Sequence, residues 1–288
     1  MKRIDLHVHS NQSDGTLSPK ELVRHAVSCG LSAFALTDHD NINGLAQAEE
    51  EALLCGIELV PGIEFSTEYH GTDLHIVGLD FQWKDSDFQS DVQFYQEERL
   101  RRNQKIIDKM AADGIPISHQ QMTEAFGNTM WTRAHFARYL MMQHCVETIS
   151  EAFERYLGEN CPYFIPRQKV IPGDVISLIR RFDGIPVLAH PFQYHFSDEE
   201  LRAALIHLKE YGLLGMEVYY SGYSSQQEAY LLSLARELDL APSGGSDFHG
   251  ANKPDIFLGK GTGNLNLSYD LLHDLRKARA KASDFKTR

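Results

Sequence analysis

The stretch Arg3-Ile4-Asp5-Leu6-His7-Val8-His9 decides how this chain is read. Its residues alternate at the strand period, which sets His7 and His9 on one face and Leu6 and Val8 on the other. Two imidazoles side by side at the end of a first strand make a chelating grip for one metal ion. A surface strand that happens to carry two histidines would look the same. The question is whether the rest of the chain delivers further ligands at equivalent places.

Working outward, Ser18-Pro19-Lys20-Glu21 reads as a helix start, with Ser18 as N-cap, Pro19 in the first position and Glu21 closing a capping box. That helix ends at Gly30, and the apolar strand Ala33-Phe34-Ala35-Leu36-Thr37 then runs into Asp38-His39-Asp40. A helix over 43–55 stops at Gly56, and a third strand over 58–62 ends at Ile63-Glu64. A fourth strand covers 74–79. The link between them is shorter than the roughly dozen residues of a parallel crossover, so a hairpin is expected. With its turn near Tyr69-His70-Gly71, Glu64 and His75 are expected to face each other.

The strand rhythm stops between Asp85 and about Asp183. A helical pattern over 87–113 places Phe88, Val92, Tyr95, Ile106 and Met110 on its apolar positions and is long enough to cover roughly 40 Å. Shorter helices follow over 118–126, 132–144 and 149–157. The expected organisation is a barrel domain from 1–85 and 166–288 with a helical insertion subdomain, 86–165. A helix over 172–182 restores the rhythm, and Ile185-Pro186-Val187-Leu188-Ala189 ends at His190-Pro191. Helices over 197–211 and 224–238 alternate with strands over 215–219 and 241–246, the last ending at Asp247-Phe248-His249.

The 288 residues suit an α/β barrel with an insertion, and 42% hydrophobic with 24% charged residues suits a sizeable core. A net charge of -12 disfavours broad gripping of long nucleic acid, yet leaves room for an anionic substrate because bound cations reverse the local field. There is no apolar run of about 20 residues and no apolar leader, so no membrane partner is expected. Cys29, Cys55, Cys145 and Cys161 form no C-x-x-C pair, as in a reduced cytoplasmic protein.

Strand after strand thus ends, or in the hairpin begins, with a metal-ligand type: His7, His9, His39, Glu64, His75, His190, Asp247 and His249, with Asp14 close behind the first strand. Six histidines and three carboxylates on one rim exceed one tetrahedral ion and suit two or three, with Glu64 bridging. A donor set without Cys favours Mn, Fe or Zn. Asp38 and Asp40 read as groups orienting ligands, and Glu217 as such a group or as a further ligand. Gly244-Gly245 reads as close backbone packing rather than a phosphate cradle. Tyr219, Tyr220 and Tyr223 are pocket-lining or packing residues, and His195 is a candidate acid.

His7-Val8-His9, Thr37-Asp38-His39-Asp40, Gly62-Ile63-Glu64, Ala189-His190-Pro191 and Ser246-Asp247-Phe248-His249 resemble the polymerase and histidinol phosphatase (PHP) family. The resemblance implies a distorted (β/α)7 TIM-like barrel, a trinuclear metal centre and hydrolysis of phosphate esters. Carried onto this chain, one ion takes His7, His9, Glu64 and Asp247. A second shares Glu64 and takes His75 and His190, and a third takes Asp14, His39 and His249. Asp14 stands where many relatives carry histidine. Trp131-Thr132-Arg133-Ala134-His135 resembles the nucleotide-acting subgroup, which implies substrate contacts from Arg133 and His135; Lys169 is a further candidate.

The expected activity is a phosphomonoesterase in which a metal-bridging hydroxide held by Glu64 and Asp247 attacks phosphorus. The expected substrate is a small nucleotide, foremost the 3'-phosphate of a nucleoside 3',5'-bisphosphate. Alternatives are histidinol phosphate, short RNA trimmed from its 5' end, and a non-catalytic metal-stabilised module.

Overall fold

The order of strands in the sheet is their order in the chain. The computed structural model describes residues 2–166 and 170–284. Its strands are β1 (Arg3–Val8), β2 (Leu31–Leu36), β3 (Glu58–Tyr69), β4 (Thr72–Leu79), β5 (Ile185–Leu188), β6 (Gly215–Tyr220) and β7 (Ala241–Gly245), in the spatial order 1-2-3-4-5-6-7. All neighbours are parallel except β4, which runs antiparallel to β3 and β5. The residues after β7 return to β1, where the His9 N–H donates to the Phe248 carbonyl (3.0 Å) and the Asp247 N–H to the His7 carbonyl (2.9 Å). The result is a nearly closed, distorted barrel. Because β4 is reversed, its beginning shares a rim with the ends of the other strands.

Helices α1 (Pro19–Ser28) and α2 (Leu45–Cys55) occupy the first two crossovers. The capping box on Ser18 and Glu21 is present as the sequence predicts. The insertion holds α3 (Ser86–Ala112), α4 (His119–Phe126), α5 (Arg133–Met142) and α6 (Ile149–Ala152), which continues as a π-helical turn over Phe153–Leu157. Then come α7 (Pro172–Arg181), α8 (Asp198–Glu210), α9 (Ser225–Glu237) and α10 (Asp270–Asp284).

Alternation along the strands divides the core. Ile4, Leu6, Ala33, Ala35, Val60, Val77, Ile185 and Val187 fill the barrel interior, joined by Leu272 and Leu275 of α10. Phe34, Leu36, Ile63, Leu188, Met216 and Val218 pack against the surrounding helices. The insertion has its own cluster around Ile106, Met110, Trp131, Phe136 and Leu140. The two halves of α3 serve different cores: Phe88, Val92 and Tyr95 join the outer layer of the barrel, while Ile106, Ile107 and Met110 join the insertion.

Two local expectations change. Strict alternation along β1 fails, because one extra residue stands between Asp5, paired with Phe34, and Val8, paired with Leu36. Leu6 therefore packs in the barrel interior and Val8 in the outer layer. This bulge lets a strand with an interior Leu6 also aim both histidines at the rim. The hairpin is as expected but β3 runs on to Tyr69, with a two-residue turn in which His70 (φ 51°) and Gly71 (φ 89°) both lie in the left-handed region. In its register Ser66 pairs with His75 and Glu64 with Val77. His75 is thus diagonal to Glu64 rather than opposite, an offset of two residues that keeps both side chains on one face.

Gly244 and Gly245 serve close packing, as their sequence suggests. A Cβ on Gly244 would stand 2.5 Å from the Tyr219 carbonyl oxygen, and one on Gly245 2.4 Å from the Cβ of His7. Gly245→Ala is expected to push β1 off β7, lowering the thermal midpoint by several degrees and weakening divalent-metal binding together with it; thermal denaturation with and without Mn2+ checks both.

Candidate metal centre

Glu64 lies on the middle of β3, buried, with imidazoles on every side. His7 Nε2 and His9 Nε2 are each 3.2 Å from its Oε2, and His39 Nδ1 is 3.1 Å away. Its Oε1 meets His75 Nδ1 at 2.7 Å and His190 Nε2 at 3.0 Å. Asp14, behind β1, has Oδ1 3.1 Å from His249 Nε2 and Oδ2 3.7 Å from His39 Nε2. Asp247 turns Oδ1 toward His9 (3.3 Å), His249 (3.3 Å) and His7 (3.7 Å). All nine residues named from the sequence therefore meet at one rim. Three sets have ligand atoms close enough to share an ion: His7, His9 and Glu64; His39, Glu64 and His75; and His9, Asp14, His39 and His249. These sets give His39 to the Glu64 and His75 group as well as to the Asp14 group, and leave His190 at its hydrogen bond to Glu64.

Divalent ions fit these residues. The Nε2 atoms of His7 and His9, Nδ1 of His39 and Oδ1 of Asp14 are buried yet lack a partner in hydrogen-bond geometry among the described residues. Buried polar atoms without partners are costly, and atoms crowded at 3 Å without sharing protons are what a metal satisfies. The donors are nitrogen and oxygen only, a set suited to Zn, Mn or Fe rather than to a soft thiolate-bound ion.

The electrostatics carry the same mark. Burial disfavours a charged imidazole, but at His7 the carboxylates of Glu217, Glu64 and Asp247 outweigh it and hold the pKa well above the usual histidine range. At His9 burial is again outweighed, by Asp247, Glu64 and Asp14, and the pKa is pushed up to about 9. At His39 burial wins and the pKa falls to about 3. Burial favours neutral carboxyls, yet the surrounding histidines hold Glu64 and Asp14 well below the carboxylate range, and Lys253 with the histidines does so for Asp247.

Behind the nine stands a shell of buried acids. Glu217 Oε1 lies 2.8 Å from His7 Nδ1, which directs Nε2 at Glu64, and its Oε2 accepts the His190 N–H at 2.7 Å. Asp38 accepts from Ser10 N–H, Ser10 Oγ and Ser13 Oγ, and Ser13 Oγ is in turn 3.4 Å from His9 Nδ1. Asp40 faces the insertion instead, accepting from Arg99 Nε at 2.7 Å and from the Ser66 N–H. Asp5, which sequence reasoning passed over, accepts from Ser246 N–H and Oγ and from the Gly259 N–H, tying β1 to the segment after β7.

A cavity of about 290 Å³ opens over the rim, with the insertion as its other wall. Arg133 lines it, its guanidinium 2.5 Å from Asp73 Oδ2 and over the rings of Phe153 and Phe164. Arg138 lines it too, donating to Asn252 Oδ1 and lying over Phe126. His135 is placed differently. It is buried in α5, where its Nδ1 accepts the Thr132 N–H at 3.0 Å in a capping box, while the Thr132 hydroxyl donates to Asp14 Oδ2 at 2.8 Å. Burial lowers its pKa to about 4, consistent with a neutral acceptor ring. The Thr-x-x-His spacing before an apolar run was the available signal for that role. His195 is exposed and outside the cavity wall, and Lys169 lies outside the described residues. Tyr220 donates to Asp247 Oδ2 at 2.6 Å, and Tyr223 accepts the Phe192 N–H. Two groups that sequence reasoning missed are Thr132 and Lys253, whose Nζ is 2.5 Å from Asp247 Oδ2.

The sequence matches the PHP domain over residues 5–171, a span holding His7, His9, Asp14, His39, Glu64 and His75. It is 38% identical to a 5'-3' exoribonuclease of Haemophilus influenzae, over 86% of this chain and 90% of that protein. It is 32% identical to a 3',5'-nucleoside bisphosphate phosphatase of Chromobacterium violaceum, over 86% and 88%. In fold it is similar to a candidate metal-dependent phosphoesterase of Bifidobacterium adolescentis, with a TM-score of 0.81, 29% identity and 96% of each chain covered. Rim chemistry, strand order and likeness over most of the length converge on one assignment: the chain belongs to the PHP domain family and is a metal-dependent phosphoesterase.

Proposed function

We propose that this phosphoesterase removes the 3'-phosphate from a nucleoside 3',5'-bisphosphate. The observation that carries the reading is the shape and charge of the cavity. It is small, roofed by the insertion segment 86–165, and bordered by the metal-binding rim on one side and by Arg133 and Arg138 on the other. A pocket at the lower end of the small-molecule range suits a mononucleotide, and two cationic borders suit a ligand with two phosphates. The Chromobacterium violaceum relative carries that activity in its name. A second reading is 5'-3' hydrolysis of short RNA, favoured by the Haemophilus influenzae relative. The protein's charge of -12 supports short substrates in either case.

In this reading His7, His9, Glu64 and Asp247 hold one ion, Glu64, His75 and His190 a second, and Asp14, His39 and His249 a third. Mn, Fe and Zn are the ions in view. When bound, such ions neutralise phosphoryl oxygens and make water nucleophilic at neutral pH. The chain does the rest. Glu217 keeps His7 aimed, Ser13 and Asp38 keep His9 aimed, and the Thr132 hydroxyl fixes Asp14. Arg133 presents a planar fork to a phosphate as Asp73 and two aromatic faces hold it in place. The insertion limits water to what the cavity admits.

A phosphate-release screen tests the function: with Mn2+, nucleoside 3',5'-bisphosphates are expected to be turned over far faster than nucleoside monophosphates or histidinol phosphate. Stepwise release of mononucleotides from 5'-phosphorylated oligomers as the main activity would favour the second reading. Activity surviving EDTA and buffer exchange would overturn both. Glu217→Ala is expected to weaken metal affinity about 10- to 100-fold by freeing the His7 ring, as read by metal titration. Metal loading at pH 7.5 is expected to release protons. His9 carries its proton below about pH 9, His7 is held protonated by its neighbouring carboxylates, and both must lose those protons to bind, whereas Glu64, Asp14, Asp247 and His39 are already deprotonated. Calorimetry in buffers of different ionisation enthalpy counts the protons, and the His9 share is expected to vanish as pH rises through about 9.

A further inference from the structure

Lys253 sits six residues beyond Asp247, on a short turn that sequence reasoning left without a role. Its Nζ is 2.5 Å from Asp247 Oδ2, an oxygen that also accepts the Tyr220 hydroxyl at 2.6 Å. The other oxygen, Oδ1, faces His7, His9 and His249. Two donors on Oδ2 leave a single oxygen free for the centre. An ammonium has three N–H donors, and among the described residues Asp247 is the hydrogen-bond partner of Lys253. The side chain is 39% exposed and lines the cavity. Other cations of that wall are held by partners too, Arg99 by Asp40, Arg133 by Asp73 and Arg138 by Asn252.

The turn that carries Lys253 is pinned. The Asn252 amide donates to the Asp14 carbonyl at 2.6 Å and its oxygen accepts from Arg138, while the Ala251 N–H donates to Thr16 Oγ1 at 3.0 Å. The ammonium is thus held at the seam between the rim and the insertion before any ligand arrives, which lowers the ordering cost of binding.

We propose that Lys253 is a phosphate-contacting residue of this active site: one N–H holds Asp247 in its single-oxygen orientation while the others donate to an oxygen of the phosphoryl group. A compact ammonium with rotatable donors suits a phosphate whose oxygens change direction during the reaction. The proposal rests on the phosphoesterase reading of the site and is independent of which ester is cleaved.

The test uses the full-length protein loaded with Mn2+ and inorganic phosphate as the probe, in wild type, Lys253→Met, Lys253→Arg and Tyr220→Phe. Metal content is measured by mass spectrometry after desalting, and phosphate affinity per loaded site by calorimetry. Lys253→Met is expected to weaken phosphate binding about ten- to a hundredfold at full metal loading, the loss expected for a charge-assisted contact, and Lys253→Arg to restore much of it. Tyr220→Phe removes the other donor to the same oxygen but keeps the charge, so at full metal loading its loss of phosphate affinity is expected to be much smaller than that of Lys253→Met. Equal losses in Lys253→Met and Tyr220→Phe, or no loss in Lys253→Met, would overturn the contact and leave Lys253 as a support for Asp247. A metal-loaded wild type that binds no phosphate would overturn the reading of the site itself, and the proposal with it.

Discussion

Five imidazole nitrogens lie within 3.2 Å of one buried carboxylate, that of Glu64. They arrive from β1, from the end of β2, from the start of β4 and from the end of β5, so a single side chain reads out the positions of four strands. Such a cluster is unstable unless its charges balance. Without cations the balance comes from protons on His7 and His9, whose pKa values the neighbouring acids raise against the effect of burial. Cations held by the same side chains would take the place of those protons and supply the positive charge.

Holding six histidines and three acids in register requires rigidity behind them, and the structure spends buried polar groups on it. Asp5, Asp38 and Glu217 are fully or nearly fully buried, and each holds two or more donors: Asp5 the Ser246 N–H and hydroxyl, Asp38 the Ser10 N–H and the Ser10 and Ser13 hydroxyls, and Glu217 the His190 N–H and the His7 ring. Asp40 and Arg99 extend this support to the insertion. Their ion pair joins the end of β2 to the middle of α3, at the point where that helix leaves the barrel core for its own cluster. Breaking such a pair on one side strands a charge in the interior, a cost of about 3–5 kcal/mol. The insertion is thus locked to the rim it covers, and the Thr132 hydroxyl on Asp14 adds a second lock beside it.

The parts of the site legible in the sequence were those fixed by local rules. Strand ends, helix caps and the short hairpin link placed His7, His9, His39, Glu64, His75, His190, Asp247 and His249 on one rim, because each depends on its own few neighbours. What escaped depended on distant partners. The bulge in β1 is imposed by pairing with β2, and the diagonal of Glu64 and His75 by the hairpin register. Arg99 reads as one more charge on a polar helix until Asp40, 59 positions away, is placed against it. His135 was assigned to substrate by the motif around it, whereas its ring caps α5. Lys253 has no local signature, since its meaning comes from the cavity it borders.

Backbone strain at the rim argues that this geometry is imposed rather than incidental. Asp40 (φ 47°), His190 (φ 26°) and Asp247 (φ 55°) all lie at positive φ, a region that costs a non-glycine residue of order 1 kcal/mol or more. Each follows a strand and redirects the chain within one residue. Each also has its N–H held: Asp40 by the Glu64 carbonyl, His190 by the Glu217 carboxylate and Asp247 by the His7 carbonyl. The acceptors are themselves members of the cluster or its support, so the strain at one strand end is offset by hydrogen bonds from the next. Relaxing the turn at His190 or Asp247 would swing that side chain away from the cluster, and relaxing the one at Asp40 would release its ion pair with Arg99. A rim built this way favours all of its side chains in place or none.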